Sequence, residues 1–445
     1  MSMEAEREFW IEDGVLKEYH GPGGHVTVPA GVTGIGEDAF LRCTALTGLT
    51  VPEGVEYIDR SAFSGCCNLT EVALPGSLKR IGEFAFHDCG LTDLPAAPGL
   101  EQLERSAFSK CQGLTQITLY DGLKSLGRGV FFGCANLTDV TLPRGMERVG
   151  KNTFLECGGL VRFHAHPESR TLRDVDGILY DKDGASLLVC PNALTRVSVP
   201  EGVTRIGPEA FSDGAALELV TLPESLREIG EGAFARCGKL KELTLPAGLK
   251  RLGVSALAFC RELTSLVIPD GVEHIGAGAF QKCARLQWLR LPPGMALDLH
   301  WFVNPHDPEC RSADLTTIPF ATTRAVADIP SNMGKRYAAL GFILADLAGV
   351  ETDADIAQGY LEHIQLHLED FHQELLTDVE ILQWLIDHRL IGQEVIEGLL
   401  EKAAAGGHTA ASAALLDYQN KNFSPKDQGA KVDLRFEQFE DAFSL

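Results

Sequence analysis

The stretch IGEGAFARCGKL, residues 229–240, decides the fold because close copies of it recur along the chain. Related copies are IGEDAFLRCTAL at 35–46, IGEFAFHDCGL at 81–91 and IGAGAFQKCARL at 275–286. The repeats follow one another every 23 residues, with one interval of 22 and one long gap. Their aligned central residues are Phe40, Phe63, Phe86, Phe108, Phe131, Phe154, Phe211, Phe234, Leu257 and Phe280. A fixed period of this length predicts a solenoid in which each repeat is one turn.

Each repeat divides into a strand, a proline turn and a short arc. In LTGLTVP (46–52), Leu49 and Val51 alternate with Gly48 and Thr50, which predicts a strand with one buried and one outward face. A proline ends the strand, and a glycine two residues later suggests a positive φ; these glycines are Gly54, Gly122, Gly145, Gly202, Gly248 and Gly271. The GxxAFxxC half places Ala, Phe and Cys on one face of a predicted helical turn.

The regular spacing is interrupted between Leu160 and Phe211. There, GILY and SLLVC flank the turn DKDG (181–184), which predicts a hairpin. The segment VDGIL (175–179) opens the second block as EDGVL (12–16) opens the first. We therefore predict two blocks of repeats, each opened by a hairpin-like segment, the first of which covers the end of the solenoid.

The consensus LPxGLxxIGxxAFxxCxxL, together with the DG[VI]L segments, resembles the BspA-type leucine-rich repeats of bacterial proteins over about residues 9–291. The resemblance implies an α/β solenoid, a right-handed coil with a parallel sheet on one face. It also implies a non-enzymatic protein, since family members are solenoids and several are surface proteins that bind other proteins. We assign 1–28 to an N-terminal hairpin-like cap and 29–291 to the solenoid, with a hairpin insertion at about 161–196.

The rest of the chain predicts an all-α C-terminal domain. Residues 292–330 lose the repeat and form a predicted linker or C-terminal cap, 331–423 show helical periodicity, and 424–445 form a tail. Within the helices, LLEKAAAGGHTAASAALLDYQ loosely resembles an ankyrin-type helix pair with GGH at its turn. The region from residue 313 onward holds 22 acidic and 9 basic residues of a chain whose net charge is −23. This charge argues against nucleic acid or an anionic membrane as the partner.

Chemistry-bearing motifs are weak. One cysteine per repeat predicts a packed file of thiols, because metal sites need local clusters and free cysteine is commonly buried. The acidic loop ETDADIAQGYLE (351–362) has Ile356 where a calcium loop requires glycine, and His363 and His367 lack the glutamate of H-E-x-x-H. His300, His306 and Cys310 form another loose set. We predict no enzyme activity, no cofactor and no metal.

The outward strand positions are the predicted binding surface, because solenoids commonly bind on that face. The candidate residues are Glu71, Gln116, Asp139, Arg162, Glu242, Thr244, Trp288 and Arg290. The predicted function is a non-catalytic scaffold for an unidentified protein partner. The alternatives are an adhesin-like surface binder of host protein or glycan and an enzyme in the helical domain. The first ten residues contain no apolar signal segment, and no run is long enough to span a membrane, so a cytoplasmic location is expected, with the cell surface as the alternative.

Overall fold

The computed structural model describes residues 8–292, 295, 299–302, 320, 321, 329 and 332–423. The chain divides into two compact units, residues 1–314 and 315–445. The first is a solenoid of stacked turns, and the second is predominantly helical. The solenoid and the C-terminal helices predicted from the sequence are confirmed.

The solenoid strands are short and fall into the two predicted blocks. The first block contains β1 (Phe9–Glu12), β2 (Val15–Tyr19), β3 (Gly24–Thr27), β4 (Gly34–Ile35), β5 (Leu46–Thr50), β6 (Tyr57–Ile58), β7 (Glu71–Ala73), β8 (Arg80–Ile81), β9 (Gln102–Leu103), β10 (Gln116–Thr118), β11 (Asp139–Leu142) and β12 (Arg162–Ala165). The second contains β13 (Leu172–Val175), β14 (Ile178–Asp181), β15 (Ser186–Val189), β16 (Arg196–Ser198), β17 (Arg205–Ile206), β18 (Leu219–Thr221), β19 (Glu228–Ile229), β20 (Arg251–Leu252), β21 (Ser265–Val267), β22 (His274–Ile275) and β23 (Trp288–Arg290).

These strands form two columns, one more than the single parallel sheet that the sequence indicated. The column that we name the front sheet contains the leucine strands β3, β5, β7, β10–β12, β16, β18, β21 and β23, which are hydrogen-bonded in four groups: β3-β5-β7, β10-β11-β12, β16-β18 and β21-β23. The rear sheet collects the Ile-Gly strands β4, β6, β8, β9, β17, β19, β20 and β22. Pairing is parallel and one repeat apart, as in Gly48 opposite Glu71 and Ile58 opposite Ile81. The sequence period is therefore also the hydrogen-bonding register.

Hairpins open both blocks. Strands β1 and β2 are antiparallel, and β2 then pairs with β4, so that the hairpin covers the first turn of the rear sheet. Strands β13, β14 and β15 form an antiparallel meander, and β15 pairs with β17 in the same way. Leu16 and Leu187, at equivalent places in the two hairpins, are fully buried.

The third side of each turn, which we name the corner, differs from the predicted helical turn. Two residues flanking each phenylalanine have positive φ, for example Asp38 at 57° and Arg42 at 55° around Phe40. Alternate amides then point to the next turn, where Asp38, Phe40 and Arg42 donate to the carbonyls of the following corner at 2.7–3.1 Å. The helical expectation was wrong, because this alternating backbone stacks like a strand instead of bonding within a helix.

A column of aromatic rings fills the core behind the corner. Phe63 and Phe86 stack with centroids 5.0 Å apart and planes 8° apart, and Phe86 and Phe108 with 5.2 Å and 2°. This spacing matches the separation of neighbouring strands, about 4.8 Å. Tyr19 caps the column on Phe40 at 4.8 Å, while Trp301 packs edge-on against Phe280 at 6.3 Å.

Glycine occupies the proline turns for two different structural reasons. Gly54 and Gly202 have φ of 101° and 93°, as predicted. Gly122, Gly145, Gly248 and Gly271 do not lie in the left-handed region, so the prediction was wrong for them. At Gly122, a Cβ atom would lie 2.6 Å from the carbonyl oxygen of Leu100 in the previous turn. Close stacking of turns, rather than backbone twist, requires glycine there.

The second unit contains one two-residue strand, β24 (Phe320–Ala321), and six α-helices within its described part. They are α1 (Asn332–Leu347), α2 (Ala354–Leu366), α3 (His372–Thr377), α4 (Val379–Asp387), α5 (Gln393–Gly406) and α6 (Thr409–Asn422). Phe342 stacks on Tyr360 at 5.3 Å and meets the Trp384 ring edge-on at 5.9 Å. Gly407, with φ of 71°, ends α5 before α6 folds back along it. The ankyrin-type resemblance of this pair stays a prediction, and the predicted tail lies outside the described residues.

Candidate interaction surface

The outward side of the front sheet carries all eight candidate residues. Glu71, Gln116, Arg162 and Arg290 are exposed at strand positions whose neighbours in sequence point into the core. Glu242 and Thr244 lie in a segment not assigned as a strand, yet buried Leu243 and Leu245 preserve the alternation. Asp139 and Trp288 are half-buried.

The candidates are not gathered at one point. Nine repeat steps separate Glu71 from Trp288 along the front sheet, and at about 4.8 Å per step this exceeds 40 Å. Neighbouring turns bring together Asp139 with Arg162, and Trp288 lies opposite Ser265. The arrangement is an extended surface suited to a macromolecule and not a pocket that converges on one small substrate.

One polar cluster at the end of the first block could not be read from the sequence alone. Arg162 Nε lies 3.0 Å from Asp139 Oδ1, and His164 Nε2 lies 3.5 Å from the same oxygen. The parallel register between β11 and β12 places the carboxylate against both side chains. Because Arg162 is bound through Nε, its two terminal nitrogens stay available to a partner.

The second block exposes apolar side chains on the same face. Leu219 is 44% and Val267 40% exposed, although each lies on a strand whose central residue is buried. Val267 is opposite Arg290, and Ser265 is opposite half-buried Trp288. The sequence marks Leu219 and Val267 as outward positions, but its pattern offers no reason to rank them above the threonines around them.

The cysteine file is a structural element, as the sequence predicts. Eight of the repeat cysteines donate from the sulfur to the carbonyl of the central corner residue one turn earlier, at 3.1–3.2 Å. The pairs are Cys66–Phe40, Cys89–Phe63, Cys111–Phe86, Cys134–Phe108, Cys157–Phe131, Cys237–Phe211, Cys260–Phe234 and Cys283–Leu257. The thiol is apolar enough to be buried and still satisfies a backbone acceptor. Gly214 replaces it in the first corner of the second block, where its position would otherwise face Cys237.

Burial disfavours the thiolate form of these cysteines. It raises the pKa of Cys66, Cys134, Cys237 and Cys283 to about 12, and that of Cys111 and Cys260 well above the ordinary value. Nucleophilic and metal-binding cysteines need the thiolate. Among the described residues, no group of three or more His, Cys, Asp or Glu side chains is placed to hold a metal.

The remaining motifs have structural explanations where they are described. Asp353, in the acidic loop, caps α2 by accepting from the amides of Asp355 and Ile356. His363 and His367 are ring neighbours at 4.6 Å, and His367 Nδ1 lies 3.7 Å from Asp370 Oδ2. Burial, His367 and Lys335 lower the pKa of His363. His306 and Cys310 lie outside the described residues, as does the side chain of His300.

The repeat geometry matches that of known proteins. The BspA type leucine rich repeat region, in six copies, matches residues 33–161 and 189–304. The chain belongs to this family. The unmatched interval between the two ranges contains β13 and β14, so the BspA-type repeats themselves divide at the hairpin. Members of such repeat families use the solenoid as a binding surface.

Two crystal structures are similar to the BspA-type region. One is a leucine rich cell surface protein from Faecalibacterium prausnitzii A2-165, with 28% identity, a TM-score of 0.50, and coverage of 64% of this chain and 86% of that one. The other is a leucine-rich repeat protein from Eubacterium ventriosum ATCC 27560, with 18% identity, a TM-score of 0.51, and coverage of 63% and 81%. The second supports the fold alone. No curated protein matches the sequence.

Proposed function

We propose that this protein is a non-catalytic scaffold that binds a protein partner through the front sheet, with the main contacts in the second block. The observation that carries the proposal is the exposure of Leu219 and Val267 on the face that also carries Trp288 and Arg290, with Val267 directly opposite Arg290. Interfaces concentrate their binding energy in aromatic and arginine side chains surrounded by apolar contacts. Glu242 and Thr244 lie on the turn between those of Leu219 and Val267 and add polar contacts within this patch.

The backbone supports such a surface because it is rigid. In the second block β16 pairs with β18 and β21 with β23, and Val220, Leu266 and Leu289 anchor three of these strands in the core. A preformed surface loses little conformational entropy on association. Contacts with a partner are therefore made without folding a loop.

The first block offers a different contact. Glu71 and Asp93 are exposed, while Asp139 is neutralised by Arg162, so this half of the front sheet is acidic. An acidic stretch attracts a basic segment and accelerates encounter more than it strengthens the final complex. We place Glu71 in this secondary role, with Gln116 as an uncharged hydrogen-bonding neighbour on the same face.

The test uses the full chain and partners captured by in-cell crosslinking. Trp288→Ala should lose the captured protein, because removal of an aromatic anchor commonly costs about 2 kcal/mol or more, or about thirtyfold in Kd. Leu219→Glu should lose it as well, because it places an unpaired carboxylate in the apolar contact. Binding of the purified partner is then measured by calorimetry with both variants.

Val254→Glu is the matched control. Val254 is 39% exposed, a fraction similar to the 44% of Leu219. It lies on a corner and away from the front sheet. It should bind like the unmodified protein. If Val254→Glu weakens binding as much as Leu219→Glu, or if neither front-sheet variant has an effect, the proposed surface is wrong.

A second candidate is the same binding activity at the cell surface, toward host protein or glycan. It is favoured by the cell surface protein of Faecalibacterium prausnitzii A2-165, which is 28% identical. The comparisons give no such support to the cytoplasmic location expected from the sequence. Among the described residues, no helix is long and apolar enough to cross a membrane. Antibody labelling of intact cells tests this location, and signal only after lysis would contradict it.

A further inference from the structure

Backbone hydrogen bonds between successive corners form a ladder along the solenoid, which we name the corner ladder. It is interrupted once among the described residues, between the two blocks. Elsewhere, three amides of each corner donate to three carbonyls of the next, as Gly129, Phe131 and Gly133 do to Lys151, Thr153 and Leu155 at 2.9–3.0 Å. The following corner belongs to Phe154. Its next neighbour is the corner of Phe211, which lies 57 residues further along the chain.

Side chains replace the missing carbonyls at the two outer positions. The backbone amide of Asn152 donates to Glu209 Oε2, and the backbone amide of Glu156 donates to Asp213 Oδ2, both at 3.0 Å. The amide of Phe154 lies between them. Within the described residues it has no acceptor, although the equivalent amide of every complete corner step has one.

On the opposite side of the gap, carbonyls of the Phe211 corner already accept hydrogen bonds. The Cys190 amide donates to the Ala210 carbonyl at 2.7 Å, and Asn192 Nδ2 donates to the Asp213 carbonyl at 3.2 Å. The segment around Cys190 therefore takes the place of a corner for the second block. Among the described residues it gives the Phe154 amide no acceptor, so this amide is a donor left open at the gap.

A cavity of about 310 Å³ occupies this gap. Its walls include Val149, Leu155, Leu188 and Val189, all of which are partly exposed, together with buried Phe154. A single water needs roughly 30 Å³, so this space is far larger than one bridging water requires. It is at the lower limit of ordinary ligand sites.

The charges around the cavity balance. Glu147 and Glu209 oppose Arg148 and Lys151, and the carboxylate of Glu209 is already bound by the Asn152 amide. A net charge on a ligand would therefore gain little. Apolar walls with one central donor suit an uncharged molecule that combines a branched apolar group with one acceptor oxygen.

We propose that this cavity binds an uncharged apolar carbonyl compound, the size of one leucine residue, whose oxygen accepts a hydrogen bond from the Phe154 amide. The carbonyl can come from a peptide or from a small ketone or ester. This site is separate from the front sheet and does not depend on the function proposed for that sheet.

The test titrates the full chain with N-acetyl-leucine methylamide and, separately, with methyl isobutyl ketone. Isotope-labelled phenylalanine reports the Phe154 amide by nuclear magnetic resonance, and Phe154→Leu assigns its signal. We expect a saturable shift of that signal with at least one probe, with Kd in about the millimolar range or weaker because the probes have only about 13 and about 7 heavy atoms. Saturation by the peptide probe alone identifies a peptide as the source, whereas saturation by the ketone identifies a small molecule.

Leu188→Trp fills the cavity and should weaken binding at least about tenfold. Val254→Trp, at an exposed corner position outside the cavity, is the matched control and should bind the probes as before. Unchanged signals from the other phenylalanines verify folding, and Val189→Phe serves if Leu188→Trp does not fold. Absence of a saturable Phe154 shift with both probes, or a shift that a folded cavity-filling variant retains, overturns the proposal.

Discussion

Raising the pH above the ordinary pKa of a thiol should unfold the solenoid, because its buried thiols ionise more readily in the unfolded chain. The buried thiols have a pKa higher in the folded chain than the value of 9.0 expected when unfolded. Their contribution to stability is therefore complete below pH 9 and is lost as the pH rises toward the folded value. The unfolded chain releases these protons first, and the equilibrium moves toward it.

A lower bound on the magnitude follows from the four thiols whose pKa is raised to about 12, namely Cys66, Cys134, Cys237 and Cys283; Cys111 and Cys260, whose pKa is raised further, add to it. One pKa unit corresponds to about 1.4 kcal/mol, so each thiol favours unfolding by about 2 kcal/mol near pH 10.5, roughly 1.5 units above 9. Together they contribute about 8 kcal/mol, comparable to the whole stability of a typical domain. We expect unfolding between about pH 10 and pH 11.

The assay is urea denaturation under reducing conditions at several pH values, followed by circular dichroism. Cys134→Ala should reduce the loss of stability by about 1.4 kcal/mol per pH unit above pH 9. Cys67→Ala is the control, because Cys67 is exposed and should leave that slope unchanged. Tyrosine and lysine titration is common to both variants and cancels. Equal slopes for Cys134→Ala and the unmodified protein would refute the reasoning.

Three further outcomes can be measured on the folded chain. Iodoacetamide should modify Cys67 rapidly and leave its buried neighbour Cys66 intact until unfolding, and equal rates by mass spectrometry would contradict the packed file. Asp213→Ala should lower the urea midpoint by the equivalent of about 1–2 kcal/mol, since it leaves the Glu156 amide without its acceptor; an unchanged midpoint would remove this role. Phe86→Ala should cost about 3–5 kcal/mol in the same assay, far more than alanine at half-exposed Phe132, and similar losses would argue against the ring column.

The periodic residues predict most of the solenoid. The 23-residue spacing of Phe40 and its equivalents becomes both the strand register and the ring spacing, because identical turns stack in one arrangement. The pattern could not reveal the rear sheet, whose strands are only two residues long, such as Gly34–Ile35. Alternation of buried and exposed residues needs a longer segment to be recognised.

The corner illustrates a second limit of sequence reasoning. Ala39, Phe40 and Cys43 have a spacing that also fits one face of a helix, so the sequence favoured a helical arc. The positive φ of Asp38 and Arg42 excludes a helix here, and neither residue type indicates a positive φ in the sequence as glycine would. Aspartate tolerates this backbone, whereas arginine adopts it because the next turn holds its amide.

The binding surface is the part least accessible to prediction. Outward positions follow from alternation, so Arg162 and Trp288 could be placed on the front sheet. The contact of Arg162 with Asp139 and the exposure of Leu219 depend on side-chain packing across turns. The cavity between the blocks was not foreseen, because it arises from what is missing between Phe154 and Phe211.

The interruption of the corner ladder also has a mechanical consequence. When the solenoid is pulled along its axis, load passes between neighbouring corners through three backbone hydrogen bonds, except at this joint. There, two carboxylates, Glu209 and Asp213, carry it through flexible side chains. The corner side should part first at this joint, so that extension is concentrated at a fixed place while the turns on either side keep their shape.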